Sequence, residues 1–194
     1  MSAQPRQPCP AETTDAELLA DVAGGQLGAL GELYDRYARD VWRAVRRSLP
    51  NDADVDDVVH ATFLNLPRIA GSYDGRAASC RNWLCGIGVR LAMRHRRGAG
   101  RLQRMLGSFA QTLVGRKSND PEHRASQHQE LTVLNRALAR LSEKKRAVFV
   151  LVELEGLSAA EAAAALAIPA ATARTRLFHA RRELQQAMQR GGVE

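Results

Sequence analysis

The sequence has little of what marks secreted or membrane-spanning proteins. No apolar run approaches the roughly 18 residues that a membrane-spanning helix requires, and the first dozen residues lack the apolar segment of a signal peptide. Aromatic residues make up only 5% of the 194 residues, but 45% of the residues are hydrophobic, which excludes wholesale disorder. We therefore expect a cytoplasmic protein with no membrane insertion.

Cysteine is scarce and its spacing is uninformative for metal binding. Cys9, Cys80 and Cys85 form no Cys-x-x-Cys pair, and no nearby histidine completes a ligand set. An odd number of cysteines with this spacing argues against a disulfide framework and against a zinc site. We expect Cys80 and Cys85 to serve as small apolar side chains near one helix, and we predict no metal and no cofactor.

Positive charge is concentrated in one window. The net charge is +7, and residues 71–104 contain eight arginines and one acidic residue, whereas residues 1–40 contain seven acidic and three basic residues. Arginine suits bidentate contacts to phosphate or guanine. The alternative is a basic surface that is merely solvated and has no binding role, but the clustering favours a polyanionic partner. The arginines of the window are Arg76, Arg81, Arg90, Arg94, Arg96, Arg97, Arg101 and Arg104.

Helical periodicity recurs along the chain, and no segment alternates with a period of two, so the sequence predicts an all-α fold. Residues 1–13 read as a disordered tail, after which Thr14 and Glu17 form a capping box that begins the first helix. We expect Pro67 to end or kink a later helix. Three more helices of the first half are predicted over about residues 27–49, 54–67 and 79–98.

A change in composition divides the chain into two small helical domains. Residues 99–129 are punctuated by glycine, serine, asparagine and proline, which is typical of a flexible linker. The predicted domains on either side span residues 14–98 and 130–190.

The second domain ends in a helix-turn-helix pattern. Ser158 and Glu161 form another capping box before a short alanine-rich helix, and a turn containing Ile168, predicted to plug the core, leads into a longer helix from Ala170. An ordinary helical hairpin with a basic outer face is the alternative. The start of the longer helix carries residue types that contact bases and phosphates in a major groove. These candidates are Thr172, Arg174, Thr175, Arg176, His179 and Arg181.

Several segments taken in order are similar to a known family. The segment 29–37 resembles an opening "Ala-Phe-x-x-Leu-Tyr-x-x-Tyr" pattern, and 54–64 resembles "Asp-Ala-Glu-Asp-Leu-Val-Gln-Glu-Thr-Phe-Leu". Residues 81–87 resemble "Trp-Leu-x-x-Ile". The segments 138–149, 155–163 and 172–181 resemble the three consecutive motifs of a second region. The sequence is thereby similar to the bacterial RNA polymerase sigma factors of the extracytoplasmic-function (ECF) group, in the sigma-70 family.

The resemblance implies a promoter-specificity subunit with no enzymatic activity. The first domain corresponds to sigma region 2, whose acidic helix docks on the β′ clamp of core RNA polymerase. The second corresponds to region 4, which reads the −35 element and contacts the β flap. An anti-sigma factor is a further implied partner. The docking residues would be Asp56, Asp57, His60 and Phe63, of which Phe63 is better suited to packing inward than to direct contact.

Region 2 of the family melts and reads the −10 element, with a flipped base held by the loop that corresponds to residues 69–79. Flipping requires stacking surface, polar contacts and phosphate clamps. Trp83 suits a core position equally well. The candidates for −10 DNA are Tyr73, Arg76, Arg81, Asn82, Trp83, Arg90, Arg94 and Arg97.

The chain departs from the family pattern at several positions. Pro67 stands where an aromatic residue is common, and Arg90 and Arg94 stand where Asn and Asp are usual. Ala167 replaces a turn glycine, so we expect this turn to avoid a positive φ.

Two other classes of function are alternatives to the sigma-factor hypothesis. A stand-alone helix-turn-helix regulator would need only one DNA-reading head, and the acidic helix and the separate arginine window argue against it. An enzyme is disfavoured because the sequence offers no nucleophile–base spacing and no glycine-rich phosphate loop.

Overall fold

The computed structural model describes residues 13–49, 54–106 and 137–191. These residues form helices and turns, with no strand among them, which confirms the all-α prediction. The first unit contains α1 (Asp15–Ala23), α2 (Leu27–Ser48), α3 (Val55–Leu64), α4 (Leu66–Ile69), a 3₁₀ turn (Ala70–Ser72) and α5 (Cys80–Leu106). The second contains a helical segment at 137–140, α6 (Glu143–Phe149), a π-helix (Val150–Leu154), α7 (Ala159–Leu166) and α8 (Ala170–Gly191).

The predicted capping box begins α1. The Thr14 side chain accepts from the Glu17 backbone N–H at 3.3 Å, and the Glu17 carboxylate accepts from the Thr14 backbone N–H at 2.8 Å. Asp15 then ties the helix to α2, because it accepts from Tyr37 Oη at 2.6 Å and from Arg36 Nη1 at 3.2 Å. The predicted tail lies outside the described residues, apart from residue 13.

The core of the first unit forms where α2, α3 and α5 meet. A Cβ added at Gly88 would lie 3.0 Å from both Val41 Cγ1 and Val45 Cγ2, so the glycine permits α2 and α5 to approach closely. Cys80 and Cys85 are buried in this core, as predicted. Burial raises the pKa of both thiols to about 12.

Pro67 begins a helix and does not lie in the interior of one. The α3 helix ends at Leu64, and Pro67 occupies the first turn of the short α4, where its missing N–H leaves no intrahelical hydrogen bond unmade. The α5 helix continues to Leu106, eight residues beyond the predicted boundary. The rest of the predicted linker, residues 107–129, lies outside the described residues.

The helix-turn-helix of the second unit is confirmed. In the predicted capping box, the Ser158 hydroxyl accepts from the Glu161 backbone N–H at 3.1 Å and the Glu161 carboxylate accepts from the Ser158 N–H at 2.7 Å. The turn residue Ile168 packs against an apolar cluster shared by α6, α7 and α8. The preceding π-helix was not predicted; it ends just before Gly156, which has a φ of +78°.

The prediction about the turn backbone was wrong. Ala167 adopts the left-handed conformation, with φ 52° and ψ 51°. Its N–H donates to Ala164 O at 3.1 Å, and the N–H of Ile168 donates to Ala163 O at 3.0 Å, so the turn closes the last carbonyls of α7. Because alanine has a Cβ, this left-handed conformation costs about 1 kcal/mol in backbone strain relative to glycine.

The two helical units pack against each other, which the sequence did not predict. One apolar cluster runs from Leu33 and Leu84 in the first unit to Leu138 and Leu151 in the second. The contact brings α5 against α7, and a Cβ added at Gly86 would come within 3.0 Å of the Ala165 Cβ.

Candidate functional site

The first turn of α3 presents an acidic surface. Asp56 and Asp57 are both exposed, and the helix N-terminus favours their negative charge. Asp56 is also held in place, because it accepts from the indole N–H of Trp42 at 3.0 Å. The carboxylates therefore remain available for a basic partner, with the orientation of one of them fixed by α2.

His60 lies one turn further along the exposed face of α3. Its ring stacks nearly parallel to that of Tyr34, with centroids 6.1 Å apart, and its Nε2 lies 3.4 Å from Tyr34 Oη. Both residues line a shallow cavity of about 210 Å³ between α2 and α3, together with Trp42 and Asp56. Two of the predicted docking residues, Asp56 and His60, thus line a depression that could receive a side chain.

Phe63 does not belong to this surface. It is only 3% exposed and makes an edge contact with Tyr34, with ring centroids 4.8 Å apart. The inward position favoured for Phe63 is confirmed, so its inclusion among the docking residues is corrected: Phe63 supports Tyr34 from the core. Leu64, which sequence reasoning did not select, is 73% exposed beside it.

The loop predicted to meet −10 DNA holds an aromatic pair. Tyr73 and Trp83 are half-buried, and their rings are tilted by 58° with centroids 5.3 Å apart. Arg76 is exposed, and its backbone N–H donates to Asp74 Oδ1 at 2.9 Å, which fixes the turn. The pair offers a stacking surface, and the turn offers the exposed guanidinium of Arg76.

Two further arginines of the predicted set, Arg94 and Arg97, are exposed on α5. Arg90 is half-buried, and burial together with the neighbouring Arg94 lowers the pKa of its guanidinium. Arg97 Nε lies 3.9 Å from a carboxylate oxygen of Glu143 in the second unit. Only part of the arginine window therefore faces solvent.

Arg81 and Asn82 lie against the second unit. Arg81 Nη2 donates to Glu155 Oε2 at 2.8 Å, and its Nη1 donates to the Glu155 carbonyl at 3.1 Å. Arg47 Nη1 donates to the other carboxylate oxygen of Glu155 at 2.9 Å. Asn82 lies close enough to Glu161 to contribute to the lowered pKa of its carboxyl, after the larger effect of Ser158. Sequence reasoning selected neither Arg47 nor Glu155, because a pairing between residues 108 positions apart leaves no local pattern.

The α8 helix presents most of the predicted −35 residues to solvent. Arg174, Thr175, His179 and Arg181 are exposed, whereas Thr172 and Arg176 are half-buried. Arg181 donates to Glu153 Oε1 through Nε at 2.9 Å and Nη2 at 2.6 Å. The inward face of α8, which carries Ala173 and Leu177, packs against the apolar cluster that it shares with α6 and α7.

Phe178 is a residue of α8 that sequence reasoning did not select as a site. It is 62% exposed and contacts the His179 ring edge-on, with centroids 5.6 Å apart. A single exposed apolar side chain is common on soluble proteins, so Phe178 alone defines no site. No local sequence pattern marks it, because its exposure depends on which face of α8 meets the rest of the unit.

Comparison with known proteins identifies the class. The model described as "Sigma-70 region 2" matches residues 33–102, and the model described as "Sigma-70, region 4" matches residues 131–184. Together the two matches cover more than half of the chain, and the chain belongs to the sigma-70 family.

Relatives that align with nearly the whole chain show which group of the sigma-70 family it belongs to. The ECF RNA polymerase sigma factor SigL of Mycobacterium tuberculosis is 30% identical over 178 residues, which are 90% of this chain and 97% of that protein. SigM of the same organism is 31% identical over 89% of this chain and 84% of the relative. The chain belongs to the ECF RNA polymerase sigma factors, the specificity subunits of transcription initiation.

A solved structure supports the same fold. The structure described as CnrH in complex with the cytosolic domain of CnrY covers 90% of this chain and 97% of its own, with 27% identity and a TM-score of 0.62. Among the described residues, no helix is long and apolar enough to cross a membrane.

Proposed function

We propose that this sigma factor docks on core RNA polymerase through the acidic turn of α3. Asp56 and Asp57 would meet basic residues of the β′ clamp, and the cavity beside His60 would receive a clamp side chain. The Trp42–Asp56 hydrogen bond supports this role, because a prepositioned carboxylate loses less conformational entropy on binding.

Each unit would then bind a different promoter element, the first unit the −10 element and the second unit the −35 element. The Tyr73–Trp83 pair and the arginines of α5 would hold melted −10 DNA, because aromatic rings stack on unpaired bases and guanidinium groups clamp phosphates. The α8 helix would enter the major groove at the −35 element, with Arg174, Thr175 and Arg176 nearest the base edges.

The remaining assignments follow from this division. The functional units would be residues 14–98 and 130–190, joined by the linker 99–129, and the second unit would also contact the β flap. The protein would act in the cytoplasm without catalysis of its own, while polymerase performs the chemistry. An anti-sigma factor is proposed as its regulator, supported by the likeness to CnrH, which was solved with a partner domain.

One observation carries the proposal: one unit has an exposed acidic turn, and the other has an exposed basic recognition helix. The test is gel filtration of the full chain with core RNA polymerase. The wild-type chain should co-elute with polymerase, and Asp57→Ala should weaken the binding about tenfold, equivalent to about 1.4 kcal/mol.

Asp21→Ala is the matched control for this experiment. Asp21 lies on α1, and among the contacts described its side chain accepts only from the Gln26 side chain, at 3.3 Å. It should bind polymerase as the wild type does. Failure of the wild-type chain to co-elute, or an equal loss in both variants, contradicts the docking assignment.

A further inference from the structure

The side chain of Glu155 is sequestered between the two helical units. It is 1% exposed, and each carboxylate oxygen accepts from an arginine of the first unit, Oε1 from Arg47 and Oε2 from Arg81. A carboxylate held by two guanidinium groups has the charge and geometry of a phosphate contact. Glu155 itself belongs to the second unit, at the end of the π-helix.

The surroundings of this contact are rich in positive charge. Asp40 lies 3.3 Å from Arg81 Nε and also pairs with Arg43. Three arginines therefore share two carboxylates, of which only Asp40 belongs to the first unit. When the second unit moves away, the first unit retains a net positive cluster that can accept an anion.

We propose that Glu155 is an internal phosphate mimic: its carboxylate occupies the Arg47–Arg81 pair in the free subunit, and this pair binds a backbone phosphate of promoter DNA once the units separate. The inference rests on the proposed function, and it adds Arg47 to the DNA-binding residues. The packed arrangement is then autoinhibitory, since the second unit engages the guanidinium of Arg81 and leaves Arg81 and Asn82 only partly exposed.

The interface also contains features that favour its opening. Arg146, only 3% exposed, has no hydrogen-bond partner for its Nε among the described residues, and the same holds for Arg96 Nη1. Burial, together with the nearby Arg96, lowers the pKa of Arg146. Unsatisfied buried donors and neighbouring like charges both cost free energy. They destabilise the closed arrangement of the two units and so favour its opening.

The test measures binding of the full chain, without polymerase, to a fluorescent single-stranded 12-mer of random sequence. Glu155→Gln removes the charge that competes with phosphate and should tighten the dissociation constant about tenfold, equivalent to about 1.4 kcal/mol. The slope of log affinity against log salt should steepen by about 0.7 for each phosphate newly contacted. The control Asp21→Asn removes one negative charge away from the interface and should change neither quantity.

A double variant tests the role of Arg47. If Arg47 binds phosphate, Arg47→Gln combined with Glu155→Gln should lose most of the gain and of the steeper slope. A double variant that keeps the full gain overturns the assignment of Arg47 to DNA. A Glu155→Gln variant that binds no more tightly than the Asp21→Asn control overturns the proposal as a whole.

A steric variant opens the same interface without removing a charge. Gly86→Ala would place a methyl group against Ala165, whereas Gly31→Ala, on α2, has nothing within 4 Å of the added Cβ and serves as its control. Gly86→Ala should increase the radius of gyration in small-angle X-ray scattering and tighten oligonucleotide binding. An unchanged radius and affinity count against a closed, DNA-blocked state.

These outcomes are separable from the proposed function. If the wild-type chain supports transcription by core polymerase and Glu155→Gln binds DNA as the wild type does, only the phosphate-mimic proposal fails. If the wild-type chain does not support transcription, the proposed function fails, whatever the ratio of oligonucleotide affinities.

Discussion

Trp42 on α2 and Asp56 on α3 are joined by one hydrogen bond of 3.0 Å, in which the indole N–H donates to a carboxylate oxygen. This bond links the two helices that form the proposed docking surface. The bond serves both packing and charge placement, because Trp42 is half-buried and Asp56 is exposed. The two contributions can be separated by substitution.

Asp56→Asn keeps an oxygen that accepts from Trp42 but removes the charge. We expect the free energy of unfolding to change by less than about 0.5 kcal/mol, while affinity for core polymerase falls several-fold. Denaturant titration and polymerase binding measure the two effects. A parallel loss of stability and affinity would assign Asp56 to folding alone.

Arg176→Ala tests the recognition helix. If the half-buried Arg176 reads a base edge, the substitution should cost about 1–3 kcal/mol on the preferred −35 sequence and less on unrelated DNA. Arg140→Ala, which removes an exposed arginine near the end of the helix at 137–140, is the control for charge. An equal loss on every sequence would mean that Arg176 contacts only phosphate.

The buried cysteines should be chemically inert in the folded chain. Since burial raises the pKa of Cys80 and Cys85 to about 12, only about one thiol in ten thousand is ionised at pH 8. Brief alkylation followed by peptide mass mapping should leave both unmodified in native buffer and label both in concentrated urea. Rapid native labelling of either cysteine would contradict its place in the core.

The capping box of α7 should make stability depend on pH. The pKa of Glu161 is lowered by hydrogen bonds from the Ser158 backbone and side chain. Ionised Glu161 therefore stabilises the folded chain above the ordinary carboxyl pKa of 4.5, and this contribution disappears as pH falls through the lowered folded-state pKa.

Glu161→Gln checks that dependence. Its melting temperature should be lower than that of the wild type at neutral pH, and the difference should shrink towards zero at a pH below the lowered folded-state pKa of Glu161, where both side chains are neutral. A difference that is constant between the two pH values would indicate that the charge of Glu161 does not contribute.

Local features of the fold were predictable because local rules determine them. The capping boxes at Thr14 and Ser158 and the plugging residue Ile168 depend on residues only a few positions apart, and each occurs as expected. The backbone of Ala167 was mispredicted because packing of the helix-turn-helix outweighs the preference of alanine against a positive φ.

Contacts between the units could not be predicted in the same way. Glu155 lies 74 residues from Arg81, and no periodicity or motif encodes such a pair. The exposure of Phe178 likewise depends on which helix face meets a neighbour, which tertiary packing decides. Family motifs located the surfaces, but the side chains that are free to act on them required the three-dimensional arrangement.

Transcription from a randomised promoter library by core RNA polymerase, with and without the full-length chain, tests the central claim most directly. With the chain present, sequencing of the transcripts should show a subset of promoters that share two elements at −10 and −35 with fixed spacing. Transcripts no different in amount or in promoter sequence from those of core polymerase alone would contradict its role as a sigma subunit.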